Sequence, residues 1–501
     1  MTIPAAGGPQ LITYIDRLAG DLDGLQDAMR GPLAGAFEGV HLLPYYTPFD
    51  GTDAGFDPTD HTQVDPRLGT WQDVRALGAD HTVMSDVIVN HVSSSSAMFQ
   101  DVVEHGRASR WAPMFMTLSS LFPQGATEQD LARIYRPRPG MPFTTITLGG
   151  ERRLVWTTFT PDQIDLDLRS DVAWEYLTSV IDALTSAGVT MLRLDAVGYT
   201  GKEAGTSCFM TEPASRYTQR ILELAHERGA SVLLEIHGHY LQQVEIARSV
   251  DYVYDFALPP LVLHALHARD LRPLEAWFEV RPANAVTVLD THDGIGIVDV
   301  GANDLRPGDP GLLNPSQIDA LVESIHDASG GTSRAATGAA ASNLDLYQVN
   351  CTFYDALGRD DARYLLARLI QLMTPGIPQV YYVGLLAGTN DMELLEASGV
   401  GRDVNRHYYS GEEISAAIQT PVVAAQLDAL RLRRTHGAFA GEFTSAFTDT
   451  TLTMRWSRSD QHHGDQEVVL QADVAAGTFS LRASGRENAI VCDHATVSSA
   501  R

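Results

Sequence analysis

Three carboxylates close three apolar runs of this chain: Asp195 in MLRLDAVGY (191–199), Glu235 in VLLEIH (232–237) and Asp293 in TVLDTHD (287–293). A carboxylate at the mouth of a buried strand is costly to desolvate unless something pairs with it or uses it. Arg193 stands two residues before Asp195, so a strand projects both to one face, where the guanidinium keeps the acid ionised as a nucleophile requires. Glu235 follows Leu233 and Leu234, an apolar setting expected to keep it protonated as a proton donor. Such a pair, about 5–5.5 Å apart, is what retaining glycoside chemistry uses: one acid attacks the anomeric carbon while the other protonates the leaving oxygen. Asp293 adds a third acid able to stabilise positive charge on the sugar ring. His91, at the end of SDVIVNH, and His292, beside Asp293, are suited to hydrogen-bond sugar hydroxyls. Any one of these acids alone reads as a structural residue; three at strand ends, with Arg and His alongside, point to carbohydrate chemistry. No Ser-His-Asp arrangement, phosphate-cradling glycine loop or zinc spacing competes for the site. DGTDAGFDPTD (50–60) lacks the Glu and flanking helices of an EF-hand and reads as a substrate-binding loop.

The elements that must position these residues recur along the chain. Strand-like runs fall at 10–16, 40–46, 81–91, 190–198, 231–237, 251–258, 284–293 and 378–384, rich in β-branched and aromatic residues and nearly continuous in apolarity. Helix candidates lie between them, among them DVAWEYLTSVIDALTSAG (171–188) and ASRYTQRILELAHERGA (214–230). Eight β-then-α units suggest an α/β fold, a (β/α)₈ TIM barrel whose active site lies at the carboxyl ends of the strands. From pattern alone a doubly wound open sheet is the competing reading. Residues 1–91, 171–293 and 357–436 make up the expected barrel. Two connections are too long for ordinary loops and are expected to be inserted domains: 92–170 after the third strand and 294–356, a lid, after the seventh. The small-residue run ASGGTSRAATGAAASN (328–343) within the second reads as a mobile linker leading into LDLYQ (344–348). The tail, 437–501, reads as a separate C-terminal β domain.

At 501 residues the chain can bury a large core, and its 44% hydrophobic and 20% charged fractions are ordinary for a soluble globular protein. The formal net charge of −27 argues against nucleic acid or anionic membrane as a partner, because the global field repels polyphosphate. The first ten residues lack the basic start and apolar stretch of a secretory signal, and no apolar run approaches the ~18 residues of a membrane span. Three scattered cysteines, Cys208, Cys351 and Cys492, have no metal-ligand spacing. A cytoplasmic location is the simplest expectation.

DVIVNH (86–91), LRLDAVG (192–198), LLEIH (233–237) and LDTHD (289–293) resemble the four signature regions of the α-amylase family of retaining glycosidases and transglycosidases, and QIDLDL (163–168) its additional short signature. HLLPYYTPFDGTDAGFDPTDHTQVDPRLGTW (41–71), IYRPRPGMPF (134–143), AVGYTGKEAGTSCFM (196–210), YDFALPPL (254–261), ASNLDLYQ (341–348) and GRDVNRHYY (401–409) are similar to the phosphorolytic members of that family, over nearly the whole chain. The resemblance implies a hexosyltransferase that cleaves sucrose with inorganic phosphate, giving α-glucose 1-phosphate and fructose through a glucosyl-enzyme. It implies Asp195 as nucleophile, Glu235 as acid/base and Asp293 as transition-state stabiliser. Asp53, His91, Arg193, His292 and Arg402 are then expected to hold the glucosyl hydroxyls, with Phe56 stacking on the ring. Tyr135, Arg138, His237, Leu344, Asp345, Tyr347 and Gln348 match the acceptor side, and Phe159 and Tyr199 join the substrate-binding set. Arg138 with His237 is the best local cationic patch for phosphate in so acidic a chain. Gly238 and His239 stand where a bulkier or aromatic stretch is expected, which leaves acceptor preference open. Many α-amylases hold calcium near the asparagine of the first region, here Asn90; no metal and no cofactor are expected. A homodimer is implied by resemblance only. Three alternatives stand beside this reading. One is a phosphorylase of another α-glucoside, such as sucrose 6'-phosphate, glucosylglycerol or glucosylglycerate; another is an α-transglucosidase or hydrolase. The third is a non-enzymatic transporter subunit, against which the retained acids and the absence of a span argue.

Overall fold

The computed structural model describes residues 7–137, 140–303, 306, 308–339, 348–460, 464–486, 490–493 and 496–499. Eight strands form in chain order: β1 (Gln10–Thr13), β2 (Gly39–Leu42), β3 (Thr82–Ile88), β4 (Met191–Asp195), β5 (Ser231–Leu234), β6 (Tyr252–Asp255), β7 (Ala285–Thr287) and β8 (Ile377–Tyr381). They close into a barrel in the order β1-β8-β7-β6-β5-β4-β3-β2, which decides against the open doubly wound sheet. The described ladders are parallel, so the carboxyl ends of these strands share one rim. The strands are short where the apolar runs are long: β7 spans Ala285–Thr287, and Asp293 stands in the turn beyond it rather than at the strand's last residue. The run at 81–91 divides into β3 and a separate short strand, His91–Ser93.

The chain divides into two compact units, residues 21–23 with 41–236, and residues 1–20 and 24–40 with 237–501. In the first, β4 pairs with β3 and β5, placing Arg193 opposite Asp86 on one side and Leu233 on the other. Among its helices are α1 (Trp71–Asp80), α2 (Asp171–Ser186) and α3 (Glu212–Glu227). In α2 Ala173, Trp174, Leu177, Val180, Ile181 and Leu184 are buried, the i, i+3, i+4 stripe that lays a helix on a sheet. Gly188 and Gly229, both at positive φ, end α2 and α3 where the chain must turn back into β4 and β5. The excursion between β3 and α2 carries two antiparallel ribbons, Phe143–Leu148 with Glu151–Trp156 and His91–Ser93 with Gln163–Asp165.

The second unit holds β1, β6, β7 and β8 with helices α4 (Leu258–Ala268), α5 (Asp361–Met373) and α6 (Pro421–Thr435). The excursion after β7 leaves and returns through a two-residue ladder, Ile295–Gly296 against Gln348–Val349. The small-residue run departs from expectation: Thr332–Ala339 is helical, Ser329 and Ser333 are joined through their hydroxyls at 2.7 Å, and Ala336 is buried with Leu395 and Val404. Small side chains let that helix pack closely, so a composition that reads as a linker is a docking face. The tail forms a six-stranded antiparallel sheet from Glu442 to Ser499, anchored by Trp456 Nε1 donating to the Met373 carbonyl of α5 at 2.7 Å.

Candidate active site

Asp195 is the last residue of β4, and Arg193 is buried two residues before it. Arg193 Nη1 lies 2.9 Å from Asp195 Oδ1 and also pairs with Asp86 Oδ1 on β3. Asp86 is fully buried; its other oxygen accepts from His41 Nε2 at 3.0 Å, and its carbonyl accepts from the Tyr46 hydroxyl. The guanidinium is therefore fixed by a cross-strand carboxylate before it reaches Asp195, which holds that acid's orientation. Beyond Asp195 the chain turns through Ala196 at φ +57°, an uncommon conformation for a residue with a Cβ, and the Ala196 N–H faces Glu235 Oε2 at 3.4 Å. Glu235 stands one residue past β5 and is partly exposed, while Leu233 and Leu234 before it are buried.

The loop at 50–60 is folded by Asp57, whose carboxylate accepts from Thr52 N at 3.0 Å, Thr52 Oγ1 at 2.7 Å and Asp53 N at 3.3 Å. Asp53 Oδ2 accepts from Gln163 Nε2 at 3.1 Å. Phe56 is buried, with the Arg193 guanidinium 5.6 Å from its ring centre, and its carbonyl accepts from His91 Nε2 at 3.0 Å. Burial pushes the His91 imidazolium down, outweighing the nearby carboxylates, so His91 holds this loop as a neutral ring protonated at Nε2. An aromatic chain continues from it: His91 to Phe159 at 5.4 Å, Phe159 to Tyr199 at 5.0 Å, Tyr199 to Phe209 at 4.7 Å and Phe209 to Tyr135 at 4.6 Å. Tyr135 is exposed at its end.

Lys202 was not singled out from the sequence, although it stands in AVGYTGKEAGTSCFM. Its buried ammonium lies 2.6 Å from Asp165 Oδ2 and donates to Asn90 Oδ1 at 3.0 Å and to the Tyr199 carbonyl at 2.7 Å. The oxygens around Asn90 are thus gathered on a cation that the chain itself supplies.

In the other unit Asp293 is clamped by one short segment, Gly401–Asn405 and Arg406 after it. Arg402 Nη1 lies 2.6 Å from Asp293 Oδ1, Asn405 Nδ2 donates to the Thr291 carbonyl at 2.8 Å and Arg406 Nε to the His292 carbonyl at 2.9 Å. From below, Arg368 of α5 pairs with buried Asp290 at 3.2 Å. Every residue of the turn 290–293 is therefore held. Burial alone would push the Asp293 carboxyl up; Arg402, His292, Arg406 and His237 outweigh it and hold the group well below the usual carboxylate range. Arg402 Nη2 also reaches Gln348 Oε1 at 3.4 Å, and His292 meets Tyr14 edge-on at 6.1 Å. His237 lies flat on Phe256, 4.0 Å between ring centres, with Nδ1 3.2 Å from Asp299. His239 caps the helix Tyr240–Ile246, accepting from Leu241 N at 3.3 Å and donating to the Pro310 carbonyl at 3.1 Å.

The structure thus joins Arg193 to Asp195 and Phe56, His91 to Phe56 and Phe159, Tyr135 and Tyr199 to the same aromatic chain, and Arg402 to Asp293 and Gln348. Arg138, Leu344, Asp345 and Tyr347 lie outside the described residues. Asp86, Gln163, Lys202, Arg368, Asn405 and Arg406 were not foreseen; all but Arg368 stand inside the quoted motifs, a signal that was available.

A parallel eight-stranded barrel with carboxylates at or beyond strands four, five and seven defines a class, and the chain belongs to the α-amylase family. Residues 13–226 match the family model described as the α-amylase catalytic domain. Within that family, the chain is 54% identical over 479 residues to a sucrose phosphorylase of Agrobacterium vitis, covering 95% of this chain and 97% of the relative. It is also 54% identical over 449 residues to a sucrose phosphorylase of Bifidobacterium adolescentis, covering 89% of each. The crystal structure of sucrose 6F-phosphate phosphorylase from Thermoanaerobacter thermosaccharolyticum superposes with a TM-score of 0.85 at 34% identity, covering 99% of this chain and 98% of that one.

Proposed function

We propose that this protein phosphorolyses sucrose to α-glucose 1-phosphate and fructose. The observation that carries the reading is the nucleophile's setting: Asp195 held by a buried Arg193 that Asp86 fixes in turn, in a chain 54% identical to sucrose phosphorylases over nearly its whole length. Asp195 attacks the anomeric carbon of the glucosyl unit while Glu235 protonates the departing fructose oxygen, leaving a β-glucosyl-enzyme. Phosphate then enters the vacated acceptor side and attacks from the α face, restoring the configuration. Asp293 stabilises the oxocarbenium-like transition states in both halves. Asp53, His91, Arg193, His292, Arg402 and Phe56 serve the glucosyl unit, His91 by holding the Phe56 carbonyl. Tyr135, Arg138, Phe159, Tyr199, His237, Leu344, Asp345, Tyr347 and Gln348 serve the acceptor. Residues 92–170 and 294–356 act as insertions around the barrel, the second as a lid, and 437–501 as a C-terminal β domain. The enzyme works in the cytoplasm as a homodimer. Among the described residues no helix is long and apolar enough to cross a membrane.

The test is incubation of the purified protein with sucrose, with and without inorganic phosphate, reading glucose 1-phosphate and its anomeric configuration. Phosphate-dependent α-glucose 1-phosphate is the expected result. Release of glucose and fructose regardless of phosphate would assign the protein as a hydrolase or transglucosidase instead. The same assay with sucrose 6'-phosphate, glucosylglycerol and glucosylglycerate ranks the competing phosphorylase readings.

A further inference from the structure

The acceptor histidine has a partner that the mechanism above leaves unused. Asp299 lies in the short turn Val298–Val300 and is fully buried. Its carboxylate accepts from three donors: His237 Nδ1 at 3.2 Å, Gly238 N at 3.1 Å and Gln243 Nε2 at 2.7 Å. A carboxylate that accepts from Nδ1 requires the proton on that nitrogen, and the Phe256 ring, inclined only 13° to the imidazole, fixes its plane. The neighbouring backbone is shaped for the pair. A Cβ on Gly296 would stand 2.7 Å from Asp299 Oδ2 and 3.4 Å from His237 Nδ1, so a side chain there displaces one or the other. Gly296 is paired with Gln348, which places the pair at the foot of the long excursion after β7.

We propose that Asp299 is a positioning residue for phosphate, fixing the His237 ring and its Nδ1 proton so that the imidazole is set to receive an anionic acceptor. This rests on the assignment of His237 to the acceptor side. An anionic acceptor gains from an imidazole whose ring plane and Nδ1 proton are already fixed. Fructose is neutral and gains nothing comparable. A chain with a net charge of −27 needs such a local arrangement to hold phosphate at all. Anchoring of the 237–243 segment accounts for the bonds to Gly238 and Gln243, but not for a third bond to a ring already fixed by stacking.

The experiment is a double-mutant cycle read as the KM for inorganic phosphate, with melting curves for each variant. Asp299→Asn is expected to raise that KM about tenfold, the value of one charge-assisted hydrogen bond, and to add less than about twofold when made on His237→Gln. Gly296→Ala supplies a second probe that keeps the Asp299 carboxylate but crowds it against His237; it is expected to move the phosphate KM in the same direction, and again not on His237→Gln. An unchanged phosphate KM in Asp299→Asn, or equal increments with and without His237, would overturn the proposal. If His237→Gln alone leaves the phosphate KM at the wild-type value, the acceptor assignment fails instead, and the two failures are distinct.

Discussion

A carboxylate that attacks a sugar must be ionised, and the cation paired with Asp195 is Arg193, itself answering to Asp86. Removing the nucleophile removes the covalent route, so Asp195→Asn is expected to lower glucosyl transfer by more than about 10³-fold on every donor; appreciable turnover would remove Asp195 from that role. Glu235→Gln has a narrower expected signature: sucrose cleavage is lost, while a glucosyl donor whose leaving group needs no proton still forms the intermediate. Equal losses on both donors would exclude the acid role. Lys202 presents a stability question at the same scale. Lys202→Met strands Asp165, which is fully buried, and Asn90 without their cation, and breaking one side of a buried pair costs about 3–5 kcal/mol. The expected outcome is a clear loss in denaturant midpoint at neutral pH, and a midpoint equal to wild type would mean that Thr158, which donates its N–H to Asp165 at 2.8 Å, and Asn90, which donates through Nδ2 at 3.0 Å, carry the carboxylate without the ammonium.

At the scale of elements the segment 401–409 decides how the third acid is held, and its far end is tied by His407. Nδ1 of that ring lies 2.5 Å from Asp391, the N-cap of helix Met392–Ser398, and Nε2 lies 3.2 Å from Glu413 in the first turn of helix Gly411–Ala417. Partial burial works against the imidazolium, but the two carboxylates prevail and its pKa is raised. A histidine whose folded pKa exceeds its unfolded value of about 6.5 gives stability that is complete below that value and lost as pH rises through the folded pKa. His407→Gln is therefore expected to flatten the fall in Tm above pH 6.5 by about a degree, and a Tm profile parallel to wild type there would contradict it. The residues of this clamp also show what a sequence discloses. The eight strands were legible because runs buried on both faces are continuously apolar, and Asp195 with Arg193 because two residues on a strand share a face. Asn405 and Arg406 stand inside a quoted motif, but what they do there was not legible, because their partners are carbonyl oxygens at 291 and 292, and a backbone acceptor leaves no mark in residue type. Thr332–Ala339 was misread for the opposite reason: its composition is that of a linker, and only the buried Ala336 shows that the small side chains are there to dock.

For the whole molecule the telling quantity is the net charge of −27 set against a reaction whose second substrate is an anion. Sucrose is neutral and approaches without regard to that field; phosphate must cross it before any local cation is felt. Salt shortens the reach of the field, from about 30 Å at 0.01 M to about 8 Å at 0.15 M, while leaving contacts inside the site largely unscreened. The specificity constant for phosphate is accordingly expected to rise a few-fold as an inert monovalent salt is raised from about 0.01 to about 0.15 M, with that for sucrose unchanged. Two salts with different anions are needed, because an anion that competes for the phosphate position lowers the constant by occupancy, and such competition depends on the anion whereas screening does not. A fall common to both salts would mean that phosphate is drawn in by a positive local field strong enough to outweigh the rest of the surface, and the acidic exterior would then carry no kinetic consequence for this reaction.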